Sequence, residues 1–466
     1  MAAPDRRYRV EKDSMGLVKV PIEANYGAQT QRAVENFPIS GLRFQRELIY
    51  ALGLIKWAAA KTNADLKLFD RRKAGAIQKV SDEVMEGRWD HDFVLDVYQT
   101  GSGTSTNMNA NEVIANRANA ILGGKKGVYR PVHPNDQVNL GQSSNDVFPS
   151  AIHIACVILL QQKLVPALRR LHKALKLKEK AFLPILKIGR THLQDATPIR
   201  LGQEFGGYAR QVERGIDRIY PAITSLSELP LGGTAVGTGI NTHPAFARRV
   251  IVLINKMTSC RFREASNHFE AQAARDACVE TSGVLKTIAV SLIKIANDIR
   301  WMGSGPRCGI GEIRLPETQP GSSIMPGKVN PVIPESLIQV CAQVIGNDAA
   351  ITLGGLSGNF ELNVMMPVIA YNLIQSIHLL ANAVQNFTQR CIEGLEADRE
   401  RCEEMIEKSL ALATALTPRV GYDEAARLSK RAYSQRKTIR QVATEEARFS
   451  KEELNRLLDP RSMTGR

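Results

Sequence analysis

The sequence predicts a mainly α-helical fold with a central bundle of long helices, and two striped stretches support this prediction. Large aliphatic side chains recur at three- and four-residue steps over residues 157–175, and the same pattern returns over residues 285–302. Both stretches are too long and too evenly striped for β-strands. Helices of this kind bury their apolar faces against one another, so we expect a bundle that is shared between subunits.

The first part of the chain, residues 1–140, is predicted to form an N-terminal domain that is mixed but mostly helical. Residues 26–36 are interpreted as a loop that enters a helix, and residues 48–63 and 72–86 as short amphipathic helices. Polar stretches that are rich in glycine or asparagine follow at 100–111, 133–139 and 141–146. These stretches are predicted to be loops or helix N-termini, where binding groups usually lie.

Residues 141–397 are predicted to form the central bundle. Pro166 is expected to kink the first long helix, because proline lacks the N–H group that the i−4 hydrogen bond needs. Two more helices are predicted at 335–345 and 367–391, the second with Pro367 in its first turn.

Two glycine-rich interruptions and a charged tail complete the predicted organisation. Residues 231–239 are interpreted as a turn-rich connector, and residues 303–331 as a long loop. A loop of that length inside a folded domain is usually functional. The tail, residues 398–466, is predicted to form a small helical C-terminal domain.

Composition and termini exclude several classes of protein. The seven cysteines among 466 residues never form a Cys-x-x-Cys pair, which is typical of buried reduced thiols rather than of zinc sites or disulfides. The N-terminus has no apolar segment of the secretory type and mixes acids with bases. The most apolar window, residues 151–160, is too short to span a membrane. We therefore expect no membrane association and a cytoplasmic protein, or an organellar form that has already been trimmed.

The chain is basic, with 61 Lys and Arg against 47 Asp and Glu and a formal net charge of +14. Such a balance favours nucleic acid, a membrane surface or an anionic small substrate as a partner. The bases are scattered, however, and the densest stretch, residues 169–180, contains no aromatic side chain on which a base would stack. We interpret this stretch as a solvated helix face and expect no nucleic-acid partner.

The most informative stretch is GSSIMPGKVNP at residues 321–331. Tandem serines after a glycine, bracketed by proline and glycine, can direct successive backbone N–H groups at one point and form an anion nest. Lys328 and Asn330 would add a cation and an amide donor. Such a group stabilises the charge that develops when a proton α to a carboxylate is removed. A serine in that field, Ser322, is a candidate base because the nest favours its alkoxide.

This string resembles the signature of the fumarase and aspartase superfamily, and the similarity extends over nearly the whole chain. Six further motifs occur in the right order and resemble those of class II fumarate hydratases. They are YGAQTQR at 26–32, QTGSGT at 99–104, HPND at 133–136, QSSND at 142–146, GRTHLQD at 189–195 and NFELNV at 359–364.

The resemblance implies a role for each matching residue. Ser322 would be the base that removes the C3 proton of malate, His192 would handle the departing or attacking water, and Glu335 would be its acid partner. A nearby carboxylate raises the pKa of a histidine and fixes its tautomer. The implied binders of the substrate carboxylates are Ser102, Gly103, Thr104, Ser143, Ser144, Asn145, Thr191, Ser323, Lys328, Val329 and Asn330. The implied secondary anion site comprises His133, Pro134, Asn135 and Asp136.

The resemblance also implies a reaction and an assembly. The expected enzyme is a hydro-lyase of the tricarboxylic acid cycle, which adds water to fumarate in the anti sense through an aci-carboxylate intermediate and yields (S)-malate. No cofactor and no metal are expected, since the sequence has no His-Glu-x-x-His motif, no Cys/His cluster and no phosphate-binding P-loop. The expected assembly is a homotetramer in which three subunits contribute the Ser143 region, the His192 region and the Ser322 loop to each active site.

Two alternative functions stay open at this point. Aspartate ammonia-lyases resemble the same motifs, but many of them have Ala at the position of Ser102 and Thr at that of Ser144, and Gln often replaces His192. The second alternative is a non-enzymatic structural or nucleic-acid-bound protein that retains the fold. Individual residues also have structural interpretations, since Ser143 and Ser144 suit helix N-caps and Glu335 suits a helix N-terminus.

Overall fold

The computed structural model describes residues 7–465, and helices make up most of this part of the chain. The helices are α1 Ala28–Asn36, α2 Arg46–Asp65, α3 Arg71–Met85, α4 Thr104–Ile121, α5 Ser144–Leu159, α6 Val165–Phe182, α7 Leu201–Leu226, α8 Phe246–Thr258, α9 His268–Ala273, α10 Asp276–Met302, α11 Val332–Gly355, α12 Met366–Phe387, α13 Arg399–Lys408, α14 Thr417–Val420, α15 Tyr422–Gln435, α16 Ile439–Glu445 and α17 Lys451–Leu457. The prediction of a mainly α-helical fold is confirmed.

Short strands form two-stranded pairs around these helices. They are β1 Tyr8–Asp13, β2 Gly16–Pro21, β3 Leu186–Thr191, β4 Gln194–Arg200, β5 Glu228–Leu229, β6 Arg263–Glu264, β7 Ile313–Arg314, β8 Gly358–Asn359, β9 Leu362–Asn363 and β10 Glu396–Ala397. The pairs are β1–β2, β3–β4, β5–β6, β7–β10 and β8–β9, and all except the parallel β5–β6 pair are antiparallel.

The chain divides into two compact units. Unit 1 comprises Met1–Pro166, Asp217–Ala289 and Ala342–Ala381, as far as the structure describes them, and unit 2 comprises the remaining segments Ala167–Ile216, Val290–Cys341 and Asn382–Arg466. The three-domain division at residues 140 and 397 stays a prediction.

In unit 1, helix α2 is the centre of the N-terminal core. Its Leu48, Leu52 and Ile55 side chains are fully buried, and α2 packs against α3, α5 and α8. The predicted helices at 48–63 and 72–86 are therefore confirmed as α2 and α3. The hairpin β1–β2 lies outside the sequence prediction, and its Val18 and Val20 belong to a small core of their own.

The long helices also agree with the periodicity. Helix α5 continues through a π-helical turn, Leu160–Leu164, into α6, so the regular helix is interrupted just before Pro166. Helices α10, α11 and α12 confirm the remaining long helices, but α11 extends beyond residue 345 to Gly355. Gly346 does not end it, since glycine lowers helix stability by only about 1 kcal/mol.

Two helical segments are long and apolar enough to span a membrane, by length and composition alone. They are Ser144–Phe182 and Val332–Gly355, with mean hydropathies of 1.6 and 1.2. The apolar window of the first segment is 72% buried, which is also typical of a core helix.

In unit 2, the C-terminal helices share a hydrophobic core of their own. Leu412, Leu428, Ile439 and Leu454 are buried in this cluster. The hairpin β3–β4, which the sequence analysis did not predict as strands, packs against α13. The predicted helical character of the tail is confirmed by α13 to α17.

Candidate active site

In unit 1, three segments surround a cavity of about 370 Å³. The segments are the first turns of α4, the turns that lead into α5, and the glycine-rich stretch after β5. The lining residues are Asn107, Met108, Asn135, Asn139, Gly141, Gln142, Ser143, Ser144, Thr234, Ala235, Ile240 and Asn241. Predicted site residues from two separate motifs, Ser143 with Ser144 and Asn135, therefore meet at one cavity.

The N-terminus of α5 is fixed by a capping box. The Ser143 hydroxyl accepts a hydrogen bond from the Asn145 N–H at 3.2 Å, and the Ser143 N–H donates to the Asp146 carboxylate at 2.9 Å. The N-cap interpretation therefore holds for Ser143. Ser144 is the first residue of the helix and lines the cavity, where the positive end of the helix dipole favours an anion.

Asp146 connects this helix to the glycine-rich stretch after β5. Its carboxylate accepts N–H groups from Gly232 at 3.0 Å and Thr234 at 2.9 Å, and the Asn145 side chain donates to the carbonyl of Ala235 at 2.8 Å. Burial raises the pKa of Asp146, while the backbone donors oppose that shift. The stretch that the sequence suggested to be a connector is thus a wall of the cavity.

Residues 102–104 form the start of α4, the helix that also contributes Asn107 to the cavity. Gly103 has a φ of 72°, and a Cβ at this position would overlap the ring of Phe148 on α5. Glycine is therefore required here. The hydroxyls of Ser102 and Thr104 lie 2.8 Å apart and share a hydrogen bond.

The predicted secondary anion site is a compact turn. Nδ1 of His133 accepts the backbone N–H groups of Asn135 at 3.2 Å and Asp136 at 3.3 Å. The Asp136 carboxylate lies 3.6 Å from the same ring nitrogen. Pro134 is buried, whereas Asn135 and Asp136 are exposed.

The sequence analysis did not predict several residues that line the cavity, although some of them lie in stretches that it singled out. Asn107 lies in a polar stretch that was predicted to contain binding groups, and Gln142 begins the QSSND motif. Asn139 lies at the end of another such stretch. For Thr234 the sequence offered only a turn-rich composition, because its place beside α5 depends on Asp146. Asn241 lies just beyond that turn-rich stretch and had no signal of its own.

In unit 2, two backbone N–H groups of the GSSIMPGKVNP loop converge on a side chain of the same loop, and the anion nest stays a prediction. The Ser322 hydroxyl accepts the backbone N–H groups of Ile324 at 3.2 Å and Met325 at 3.0 Å. The Gly321 N–H donates to the Lys328 carbonyl at 2.8 Å, and the Asn330 side chain donates to the Gly321 carbonyl at 2.5 Å. These bonds close the loop and bring its two ends together.

The side chains of this loop differ in exposure. Ser322 and Asn330 are half-buried, while Ser323, Lys328 and Val329 are exposed. Among the described residues, no ion pair involves Lys328 at 4.0 Å or less. A carboxylate near Ser322 would therefore have an unpaired ammonium available in the same loop.

His192 is at the tip of the β3–β4 hairpin in unit 2. Thr191 pairs with Gln194, so His192 and Leu193 form a two-residue turn with φ values of 56° and 58°. Positive φ at two non-glycine residues is unfavourable by about 1 kcal/mol each, and such strain is often retained at functional sites. Within residues 7–465 of one chain, the exposed His192 imidazole has no hydrogen-bond partner.

A buried group of ion pairs fixes strand β3 of this hairpin. The fully buried Glu312 carboxylate lies 2.9 Å from the Arg190 guanidinium and 3.2 Å from the Lys187 ammonium, and both bases belong to β3. Strand β3, which ends just before His192, is thus fixed by two charge-assisted contacts.

Glu335 is in the first turn of α11, where a carboxylate suits the helix dipole. Its carboxylate lies 3.9 Å from the Arg300 guanidinium. In the described part of a single chain Glu335 makes no hydrogen bond with His192. The pairing of these two residues stays a prediction.

Comparison with known proteins gives the family. The profile of a lyase family matches residues 16–346, and that of the fumarase C C-terminus matches residues 412–465. The chain is 54% identical to the class II fumarate hydratase of Nitrosomonas europaea, with 98% of the chain and 99% of that protein covered. It is 52% identical to the class II fumarate hydratase of Neisseria meningitidis, with 98% of each covered. The chain belongs to the class II fumarate hydratase family.

Solved structures agree with this membership of the class II fumarate hydratase family. The crystal structure of recombinant class II fumarase from Schistosoma mansoni is 40% identical, has a TM-score of 0.95 and covers 98% and 99% of the two chains. The resemblance inferred from the seven motifs and the fumarase/aspartase-like fold are confirmed. Both named sequence relatives are fumarate hydratases, so the family gives no support to the ammonia-lyase alternative.

Proposed function

We propose that this chain is a hydro-lyase that catalyses the reversible anti hydration of fumarate to (S)-malate. The observation that supports this function best is the convergence of two backbone N–H groups on the Ser322 hydroxyl, in a loop that also contains Lys328 and Asn330. This arrangement suits removal of a proton next to a carboxylate, which is the step that dehydration of malate requires. The family of the chain is consistent with the same reaction.

In the dehydration direction, the Ser322 alkoxide takes the C3 proton of malate onto its Oγ and becomes the neutral hydroxyl. The electron pair of the broken C–H bond moves into the adjacent carboxylate and forms the aci-carboxylate. Lys328, Asn330 and Ser323 stabilise this extra negative charge. The pair then returns to form the C2–C3 double bond as the C2–O bond breaks, and His192 protonates the departing oxygen, which leaves as water. Glu335 supports the imidazolium form of His192.

The unit 1 residues are proposed to bind the substrate carboxylates. Ser102 to Thr104 and Ser143 to Asn145 lie at the N-termini of α4 and α5, where hydroxyls, amides and unpaired backbone N–H groups favour anions. Gly103 allows the close approach of α4 to α5. In the same proposal, His133 to Asp136 form a secondary anion site, which is supported by the position of Asn135 at the cavity.

The enzyme is proposed to be a homotetramer whose active sites combine residues from three subunits. Two features support this assembly. His192 is exposed and unpaired in the described part of one chain, and the apolar window of Val332–Gly355 is only 39% buried. Leu353 and Leu356 expose 63% and 77% of their surface at the end of this helix, which favours packing against another subunit.

A cytoplasmic location is proposed as well, since the seven cysteines are free and six of them are buried.

The proposed reaction is tested by adding malate to the purified protein without any cofactor. We expect the absorbance of fumarate to appear, and its absence would contradict the hydratase function. A parallel reaction with fumarate and ammonia distinguishes the alternative, because an ammonia-lyase would form aspartate. Size-exclusion chromatography with light scattering tests the assembly, since an active monomer would contradict the shared site.

A further inference from the structure

A fully buried lysine lies beneath the unit 1 cavity. Lys56 is in the middle of α2 and has no exposed surface. Its ammonium donates to Oδ1 of Asn139 at 2.8 Å and to Oε1 of Gln142 at 3.0 Å, and both of these residues line the cavity. Among the described residues, no carboxylate lies within ion-pair distance of Lys56. Burial of an ammonium without a carboxylate is unfavourable by several kcal/mol, so the fold alone gains little from a lysine here.

The hydrogen bonds around Lys56 determine how the turn before α5 is built. Because both carboxamide oxygens face the ammonium, both NH2 groups face the backbone of the turn. Asn139 donates to the Gln142 carbonyl at 3.1 Å, and Gln142 donates to the Val138 carbonyl at 3.1 Å. Asn107 on α4 also donates to Oδ1 of Asn139 at 3.2 Å. The next residue after Gln142 is Ser143, the N-cap of α5.

While it is protonated, Lys56 also gives the cavity wall a positive charge that solvent does not screen. Burial lowers the pKa of Lys56 to about 7, and the charge of Asp146 on α5 opposes this shift. Asp146 is itself buried beneath the N-terminus of α5. The charge of Lys56 therefore acts on the same helix end that we propose to bind a substrate carboxylate.

We infer that Lys56 is a positioning residue for the dicarboxylate. It orients the side chains of Asn139 and Gln142, holds the turn that presents Ser143 and Ser144, and adds positive potential behind them, without touching the substrate. The inference rests on one part of the proposed function, namely that the unit 1 cavity binds a carboxylate of the substrate. Its effect is on binding, since the proton-transfer groups of the proposed mechanism lie on other segments.

The test replaces Lys56 by Met, Gln and Arg, with Lys61→Met as the matched control. Lys61 is on the same helix but is partly exposed and pairs with Asp65 at the surface. At about pH 6, below the pKa of Lys56, we would measure kcat and KM for malate and, by calorimetry, the Kd of succinate, a dicarboxylate that is not turned over. Thermal unfolding and light scattering would establish that each variant folds and assembles.

We expect Lys56→Met to raise both KM and the succinate Kd by about tenfold or more, with kcat within about threefold of wild type. Lys56→Arg should restore part of the affinity, and Lys61→Met should change neither quantity. Wild-type KM and Kd in a folded Lys56→Met protein would overturn the inference, and so would a loss confined to kcat. If none of the three variants folds, Lys56 is a structural residue and the inference is wrong. Succinate binding separates the two proposals, because it tests Lys56 even if the wild-type protein does not dehydrate malate.

Discussion

The reactivity predicted for Ser322 depends on its neighbours in the loop. A serine hydroxyl is normally a very weak acid, so its alkoxide is scarce. At Ser322 two backbone N–H groups point at the oxygen, and the Lys328 ammonium belongs to the same closed loop. These donors favour the ionised form, because a hydrogen bond or a positive charge stabilises an anion. In the proposed mechanism Ser322 is therefore the base, and its surroundings make the alkoxide form accessible.

Ser322→Ala is expected to lower kcat for malate by about 10²- to 10⁴-fold, because a general base is lost while the binding groups remain. The Kd of succinate should stay within about threefold of wild type. Ser434→Ala, at an exposed serine on α15, is the control. Steady-state kinetics with calorimetry measures both quantities, and near-normal dehydration by the Ser322 variant would remove the base assignment.

Lys56 should also make stability depend on pH. Its folded pKa is about 7, well below the usual value of 10.5, so between these values the unfolded chain holds a proton that the folded chain does not. As pH falls from about 10 to 7, the free energy of unfolding of the wild-type protein should therefore decrease. The decrease should exceed that of Lys56→Met by a few kcal/mol at most. Urea unfolding at pH 7 and pH 9.5 measures this difference. An equal difference at the two pH values would contradict the depressed pKa.

At the scale of elements, the proposed site residues lie at the ends of helices and at turns. Ser144 begins α5, Thr104 begins α4, and Glu335 is in the first turn of α11. Helix N-termini present unpaired N–H groups and a partial positive charge. The hairpin tip adds His192, which β3 fixes through Glu312. In this proposal the first residues of the helices bind the anion, and the helix interiors form the core.

Gly103→Ala tests the close packing of α4 on α5. The left-handed φ should lower the free energy of unfolding by about 1 kcal/mol, and the overlap with Phe148 should lower it by about 1–3 kcal/mol more. Gly123→Ala is the matched control, since Gly123 has a φ of 85° but open space around its Cβ position. Urea unfolding compares the free energies of unfolding of the two variants. An equal decrease in both would show that the contact with Phe148 does not affect stability.

The loop at residues 303–331 is expected to become ordered when a dicarboxylate binds, as a lid-type step would require. Hydrogen exchange followed by mass spectrometry should show protection of its backbone N–H groups in the presence of succinate. The hairpin β1–β2 in unit 1, which contains no proposed binder, is the internal control. Equal exchange of the loop with and without succinate would count against a lid.

At the scale of the whole molecule, assembly is proposed to complete the active site. A single described chain has an exposed His192 without a partner and a long apolar helix with much of its surface uncovered. In a monomer the exposed apolar helix is unfavourable and the imidazole has no group to act with. Both features are explained if other subunits cover the helix and place their residues beside the imidazole. Activity would then depend on protein concentration through the tetramer.

Mixed tetramers test this arrangement directly. Ser322→Ala and His192→Asn should each be nearly inactive alone, because each removes one acid–base group from every site. If the two groups come from different subunits, unfolding and refolding the variants together should restore up to about a quarter of the sites. Kinetic assay of the refolded mixture measures the recovery. Failure to recover activity, with mixed tetramers confirmed by native mass spectrometry, would place both groups in one subunit.

The sequence by itself determined the features that depend on neighbouring residues. Striped periodicity gave the long helices over 285–302 and 335–345, because a helix repeats its faces every three or four residues. The capping box of Ser143 and Asp146 and the N–H groups around Ser322 are also local, since their partners are within three residues. The ordered motifs indicated the family for the same reason: each is a short run of adjacent residues.

Only the tertiary structure decided the position of Lys56 and the role of the glycine-rich stretch at 231–239. Lys56 is 83 residues from Asn139, and Asp146 is 86 residues from Gly232. Such contacts depend on which helices pack together and at what rotation, and periodicity does not contain that information. A lysine in an amphipathic helix is normally placed on the solvated face. Here Leu52 and Ala60, one helical turn away on either side, are buried as well, so Lys56 belongs to the core face of α2 and is buried behind the cavity.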